Sequence, residues 1–211
     1  MELFMKKRIL SAVIAIFVIV CLSVSALAEE ETPTEYNNMV SLLMEGETGT
    51  VLQHNGGYEK VAQGTLNKLM TVLLTAEEIE SGGLSINDVV TVSSNANAQT
   101  GAVVWLMPGE EITIEELLKS VIIGNANDAS VALAEIVGGN EEEFTGMMNA
   151  RAFELGMRNT VFKNPAGYDC AGQYSTPYDM ALLCRELLKH EFLYKIMNTW
   201  IDRVRGGQTE I

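Results

Sequence analysis

The chain has 211 residues, with 28 acidic side chains against 14 basic ones and a formal net charge of −14. Such a surface repels nucleic-acid phosphates and anionic lipid headgroups, so neither is an expected partner. Its three cysteines and two histidines form no CxxC or Cys/His cluster, so no metal site is expected, and neither His54 nor His190 has a context that argues for a Ser–His triad.

Lys6, Lys7 and Arg8 precede an apolar run from Ile9 to about Val20, and Ala26-Leu27-Ala28 follows with a small-x-small pattern. This predicts a secretory signal over residues 1–28, cleaved after Ala28, and an exported protein at the cell envelope. The apolar run is short for a full membrane span. Val20 before Cys21 speaks against lipidation. Residues 29–37 are acidic and polar, with Pro33, and read as a flexible lead-in. The rest, residues 38–211, is long enough for one domain with a substantial core. Within it Cys170 and Cys184 are expected to be free, partly buried thiols.

In chain order, Met39–Met44 reads as a strand, Glu45–Gly49 as a turn and Thr50–His54 as the returning strand of a hairpin. Leu66, Leu69, Met70, Leu73 and Leu74 recur at helical spacing, predicting a helix over 66–81 stopped by Gly82-Gly83. Asp88–Val92 reads as a short strand, followed by a Ser/Asn/Ala-rich stretch and the apolar run Ala102–Met107. Thr113 and Glu116 form a capping box for a helix that stops at Gly124–Asn127. Asp128 is the expected cap of a helix over 129–137. Further helices are expected from Glu141 to Gly156, from Pro177 through Leu187, and over 192–197, with an extended piece at 159–164 and a strand at 200–205.

Two polar places could carry chemistry. Thr65 and Lys68 stand three residues apart at a helix start, so their side chains share a face. A hydroxyl beside a partly desolvated amine is a nucleophile–base pair, although threonine is also a common cap. The second place is the break Gly124-Asn125-Ala126-Asn127-Asp128, whose carboxamides could hold a substrate amide or simply suit a helix–helix turn. Asn164-Pro165-Ala166-Gly167-Tyr168-Asp169 reads as a turn without chemistry.

Together these segments resemble the serine D-alanyl-D-alanine carboxypeptidases, the low-molecular-weight penicillin-binding proteins. Leu42–Glu45 and Gly49–Leu52 resemble their opening hairpin, and Thr65-Leu66-Asn67-Lys68-Leu69-Met70-Thr71 their SxxK helix start. Leu117–Lys119 and Asn125–Glu135 resemble the SxN segment, and Met148–Ala150, Leu155–Met157, Asn159, Thr160 and Phe162 the helix and strand that follow. Thr199, Trp200 and Arg205–Gly207 resemble the sporulation-type branch. The likeness runs in order through most of residues 39–211.

The resemblance implies an α+β fold, a helical subdomain plus an antiparallel sheet. It implies a peptidase acting through an acyl-enzyme on peptidoglycan stem peptides ending in D-Ala-D-Ala, with no cofactor and with β-lactams as covalent inhibitors. It puts Thr65 in the nucleophile position, Lys68 in that of the SxxK lysine and Asn127 in that of the SxN asparagine. Asn125 falls where the SxN serine belongs and is expected to contact substrate. Threonine makes the attacking alcohol secondary and restricts its rotamers, and a misplacement of about 1 Å can cost roughly a hundredfold. An amide cannot relay a proton as a hydroxyl does. No Lys-Thr-Gly occurs in the chain, whereas similar proteins continue near Thr209-Glu210-Ile211 into a KTG-bearing strand. An incomplete sheet and a piece of a longer gene are therefore expected. The competing functions are a pseudoenzyme that binds stem peptides without turnover and a serine β-lactamase relative. Oligomeric state is not legible.

Overall fold

The structure, a computed structural model, describes residues 39–211. The signal expected at 1–28 and the lead-in expected at 29–37 lie outside the described residues. Strand β1 (Ser41–Met44) pairs antiparallel with β2 (Val51–Asn55), with Leu42 opposite His54. The turn between them is closed by the Glu45 carboxylate, which accepts from the Glu47 N–H and from both the N–H and hydroxyl of Thr48. β3 (Val89–Thr91) pairs with β4 (Glu111–Thr113), and β5 (Arg203–Val204) with β6 (Thr209–Glu210). Among the described residues the sheets stay two-stranded and separate. Such ribbons are marginal alone, so packing against helices must hold them.

Helix α1 (Asn67–Ser81) supplies the centre of that packing. Met70, Val72, Leu73, Leu74 and Ala76 are all buried. Gly82 ends the helix in the left-handed region, at φ +83°, where the absence of Cβ removes the steric cost. Around α1 pack α3 (Ile114–Ile122), α4 (Asn127–Gly138), α5 (Glu141–Glu154) and α6 (Pro177–Leu187). Two short helices, α2 (Ser94–Asn97) and α7 (Leu193–Met197), complete an α+β architecture dominated by helices. The capping box predicted for Thr113 and Glu116 is present in full. α4 is buried on all sides from Asn127 to Ala134, because small side chains there let α1, α3 and α5 approach.

The structure corrects several expectations. Thr65 does not cap a helix: Gly64–Leu66 is a single 3-10 turn, and the α1 cap position is Leu66, without a side-chain bond. Asp128 does not cap α4, which starts one residue earlier behind Ala126. It lies inside the helix, 1% exposed, and accepts from the N–H groups of Val104 and Leu106. The Ser/Asn/Ala-rich stretch contains α2, capped by the Ser93 hydroxyl. The run 102–107 is irregular, with Trp105 in the left-handed region at φ +57°. The extended piece at 159–164 contributes one bridge, Val161 to Tyr174. The strand expected at 200–205 shrinks to Arg203–Val204. Both Cys170 and Cys184 are free, but exposed rather than partly buried.

The last hairpin is tied down by charge. Arg205 forks onto the Glu110 carboxylate at 2.6 and 3.0 Å and also donates to the Val104 carbonyl. Lys119 on α3 pairs with Asp202 at 3.0 Å.

Replacing Asp128 by alanine leaves two buried N–H groups without an acceptor. Asp128→Ala should therefore lower stability by about 3 kcal/mol, read as an earlier urea midpoint with an unchanged m-value. Asp128→Asn, which keeps one acceptor oxygen, should lose less.

Candidate active site

The passage from the 3-10 turn into α1 divides four successive side chains between solvent and interior. Thr65 and Leu66 are exposed, whereas Asn67 and Lys68 are buried. What buries them is the segment 164–167. Its three successive carbonyls face α1. The Asn164 oxygen accepts from Asn67 Nδ2 at 2.9 Å, that of Pro165 from Thr71 Oγ1 at 3.0 Å, and that of Ala166 from Lys68 Nζ at 2.7 Å. Ser130 of α4 also donates to the Pro165 carbonyl, at 2.8 Å. Asn164 shapes the turn itself, its Oδ1 accepting from the N–H groups of Gly167 and Tyr168, as asparagine does in such turns.

Gly167 sits at φ +85°, and a Cβ there would lie 2.1 Å from the Gly64 carbonyl oxygen. The two backbones are thus in direct contact, and only glycine fits both the dihedral and the space.

Lys68 is 4% exposed. No carboxylate among the described residues pairs with it, and burial pushes its ammonium down from 10.5 to about 8. Removal from water disfavours the charged form, and the Ala166 carbonyl is a neutral partner. The amine is therefore within reach of its neutral, basic form near physiological pH.

Thr65 and Lys68 open into a pocket of about 410 Å³ whose remaining walls include Leu69, Val72, Val121, Ile122 and Met197. Asn125 stands at its edge, exposed, in the left-handed region at φ +52°. Among the described residues no acidic side chain lines this pocket, although the protein is strongly acidic overall. Three of the four residues singled out from sequence therefore share one cavity.

Asn127 is beside the cavity rather than in its wall. It is 8% exposed; its N–H donates to the Ala102 carbonyl at 2.7 Å, and its Nδ2 donates to that of Thr100 at 2.6 Å. His54 and His190 are elsewhere. His54 packs edge-on against Tyr58, and His190 is buried with Nδ1 3.0 Å from Glu80 Oε2. Among the described residues no cluster of His, Cys, Asp or Glu could hold a metal ion.

Sequence reasoning read 164–169 as a turn without chemistry and so missed its place over α1, and it missed Gln173, whose Oε1 accepts from Asn67 Nδ2 at 2.8 Å. The asparagine and glycine did signal a turn. Nothing in the sequence signalled what the turn packs against.

Residues 27–207 match the model of the D-alanyl-D-alanine carboxypeptidase family. The chain belongs to that family. It is 39% identical over 203 residues to the D-alanyl-D-alanine carboxypeptidase DacF of Bacillus subtilis, covering 94% of this chain and 52% of the relative. It is 37% identical over 153 residues to DacC of Escherichia coli, covering 70% and 38%. Solved structures agree. The carboxypeptidase DacD of Francisella tularensis superposes with a TM-score of 0.73 at 33% identity, covering 75% of this chain and 38% of that one. Penicillin binding protein 6B of Escherichia coli gives 0.77 at 28% identity, covering 82% and 56%. The chain thus spans about half or less of the length of these two curated relatives.

Two outcomes follow from the geometry of this site. The folded pKa of Lys68 lies below its unfolded value, so the unfolded state binds the proton more tightly, and burial costs stability in full below about pH 8. Stability should rise between pH 8 and 10.5 relative to a Lys68→Met variant, by up to about 3 kcal/mol, measured by chemical unfolding across that range. Gly167→Ala should lower stability by at least about 2 kcal/mol, and should also raise the Lys68 pKa as the turn lifts away, read by NMR titration of the lysine side chain.

Proposed function

We propose that this chain carries the nucleophile-bearing part of a D-Ala-D-Ala carboxypeptidase that trims peptidoglycan stem peptides through an acyl-enzyme. The observation that carries this reading is the buried, carboxylate-free Lys68 opening into the same pocket as Thr65. A neutral lysine amine takes the proton of the Thr65 hydroxyl as its oxygen attacks the carbonyl between the two terminal D-alanines. The C–N bond then breaks, the Lys68 ammonium returns the proton to the leaving amine, and water hydrolyses the ester. Asn125 at the pocket edge contacts the stem peptide, and Asn127 helps hold it. The relatives' names support this assignment: they are D-alanyl-D-alanine carboxypeptidases and a penicillin-binding protein. The same chemistry makes β-lactams covalent inhibitors.

The reading extends to location. A signal over residues 1–28, a lead-in at 29–37 and a partial peptidase domain over 38–211 suit an exported protein at the cell envelope, where its substrate is built. The second reading is a pseudoenzyme. Thr65 and Asn125 both favour it, each standing where the family pattern has serine.

Fluorescent penicillin on the full-length protein separates the two. Covalent label on the wild type, absent in Thr65→Ala and at least about tenfold faster in Thr65→Ser, supports the enzyme. The labelling rate should climb with pH and level off above about 8, where Lys68 loses its proton. A chain that takes no label but binds a D-Ala-D-Ala peptide saturably is the pseudoenzyme.

A further inference from the structure

The Thr100 carbonyl is shared between two side chains. Asn127 Nδ2 donates to it at 2.6 Å, and the Tyr168 hydroxyl donates to it at 3.0 Å. That hydroxyl also accepts from the Thr100 N–H at 3.1 Å. A phenol has both a donor and acceptor capacity, and here it uses both on one residue. Thr100 is otherwise exposed.

Tyr168 is itself well held. Its N–H donates to Asn164 Oδ1 at 2.9 Å, and its carbonyl accepts from Asn164 Nδ2 and Gln173 Nε2, each at 3.0 Å. The clamp therefore reaches from the turn that covers Lys68 to the segment that holds Asn127. The far end of that segment is anchored differently, by Asp128 on the N–H groups of Val104 and Leu106. Between those two anchored residues Trp105 is forced outward, left-handed and 70% exposed. At the near end the Asn127 N–H holds Ala102, while the Thr100 peptide depends on Tyr168 and the Asn127 amide alone among the described side chains. Asn127 Oδ1 accepts no hydrogen bond among the described residues, so the orientation of that carboxamide is set by its Nδ2 bond to Thr100.

We propose that Tyr168 is a positioning residue for Asn127: its hydroxyl fixes the Thr100 peptide, and the fixed carbonyl holds the Asn127 carboxamide in one orientation. The catalytic consequence rests on the carboxypeptidase reading above; the clamp itself does not. Tyr168 touches neither Lys68 nor Thr65 through a hydrogen bond. Its effect should therefore travel through Asn127 and leave the lysine's titration alone.

The test is Tyr168→Phe, which keeps the ring and removes the hydroxyl, alone and combined with Asn127→Ala. By NMR on the full-length protein, the Thr100 amide should exchange with solvent about three- to tenfold faster and the Asn127 side-chain amide signals should shift, as loss of a half-exposed hydrogen bond predicts. Acylation by fluorescent penicillin should fall by a similar factor, with the ascending limb still near pH 8. In the Asn127→Ala background the same change should have no further effect. Unmoved Asn127 side-chain signals overturn the proposal. So do losses that simply multiply in the double variant, or a limb displaced toward 10.5, since Tyr168 would then act by packing the cover of Lys68. If the wild type takes no penicillin at all, the carboxypeptidase reading fails, and the NMR signals still decide the clamp.

Discussion

The contact between the 164–167 turn and the start of α1 organises the site. Carbonyl oxygens from three consecutive residues are aimed at one helix, and each receives a hydrogen bond from a different α1 side chain. Backbone acceptors of this kind must be satisfied when buried, and here the donors are the polar residues of α1 itself. The same contact removes Lys68 from water while offering it only a neutral oxygen. A lysine held by a carboxylate would stay charged far into the alkaline range. Lys68, out of water and without a carboxylate partner among the described residues, has its pKa pushed by burial down to about 8. The lowered pKa is thus a consequence of how a turn closes over a helix, and Gly167 is what lets it close.

A second set of constraints works from α4. This helix is buried through its first two turns, and its polar side chains reach outward to neighbouring loops rather than to solvent. Ser130 joins the turn over α1, Asp128 grips the irregular segment before β4, and Asn127 holds Thr100. A buried carboxylate is tolerated only where donors surround it, and two of its donors are backbone N–H groups of a loop that has no sheet to belong to. The last hairpin adds Arg205, which bonds both Glu110 and the Val104 carbonyl and so secures the same loop from the other side. Charged groups from distant parts of the chain thus converge on the Val104–Leu106 segment.

Against this frame the two departures from the family pattern differ in kind. Thr65 keeps a hydroxyl at an exposed turn. Asn125 replaces a proton-carrying hydroxyl by an amide, at a backbone conformation that asparagine tolerates better than most residues. In the proposed reaction the first change alters how the attacking oxygen is aimed; the second alters which groups would be available to move a proton.

Local pattern determined much of this protein. The apolar spacing over 66–81, the Thr113–Glu116 capping box and Pro177 at a helix start each define an element through residues a few positions apart, and such interactions can be read along the chain. That Thr65 and Lys68 could face one pocket was legible for the same reason, since the two stand three residues apart. The order of motifs over residues 39–211 was enough to indicate the family and an α+β fold. What only the tertiary structure decided are the partners of polar side chains far apart in sequence. Asp128 looked like a cap because aspartate favours that place, yet a loop some two dozen residues earlier claims it. The 164–168 turn looked inert because a turn signal carries no information about the surface it meets. Whether Lys68 is a solvated surface charge or a buried base depends on burial by that turn, and no window around residue 68 contains it.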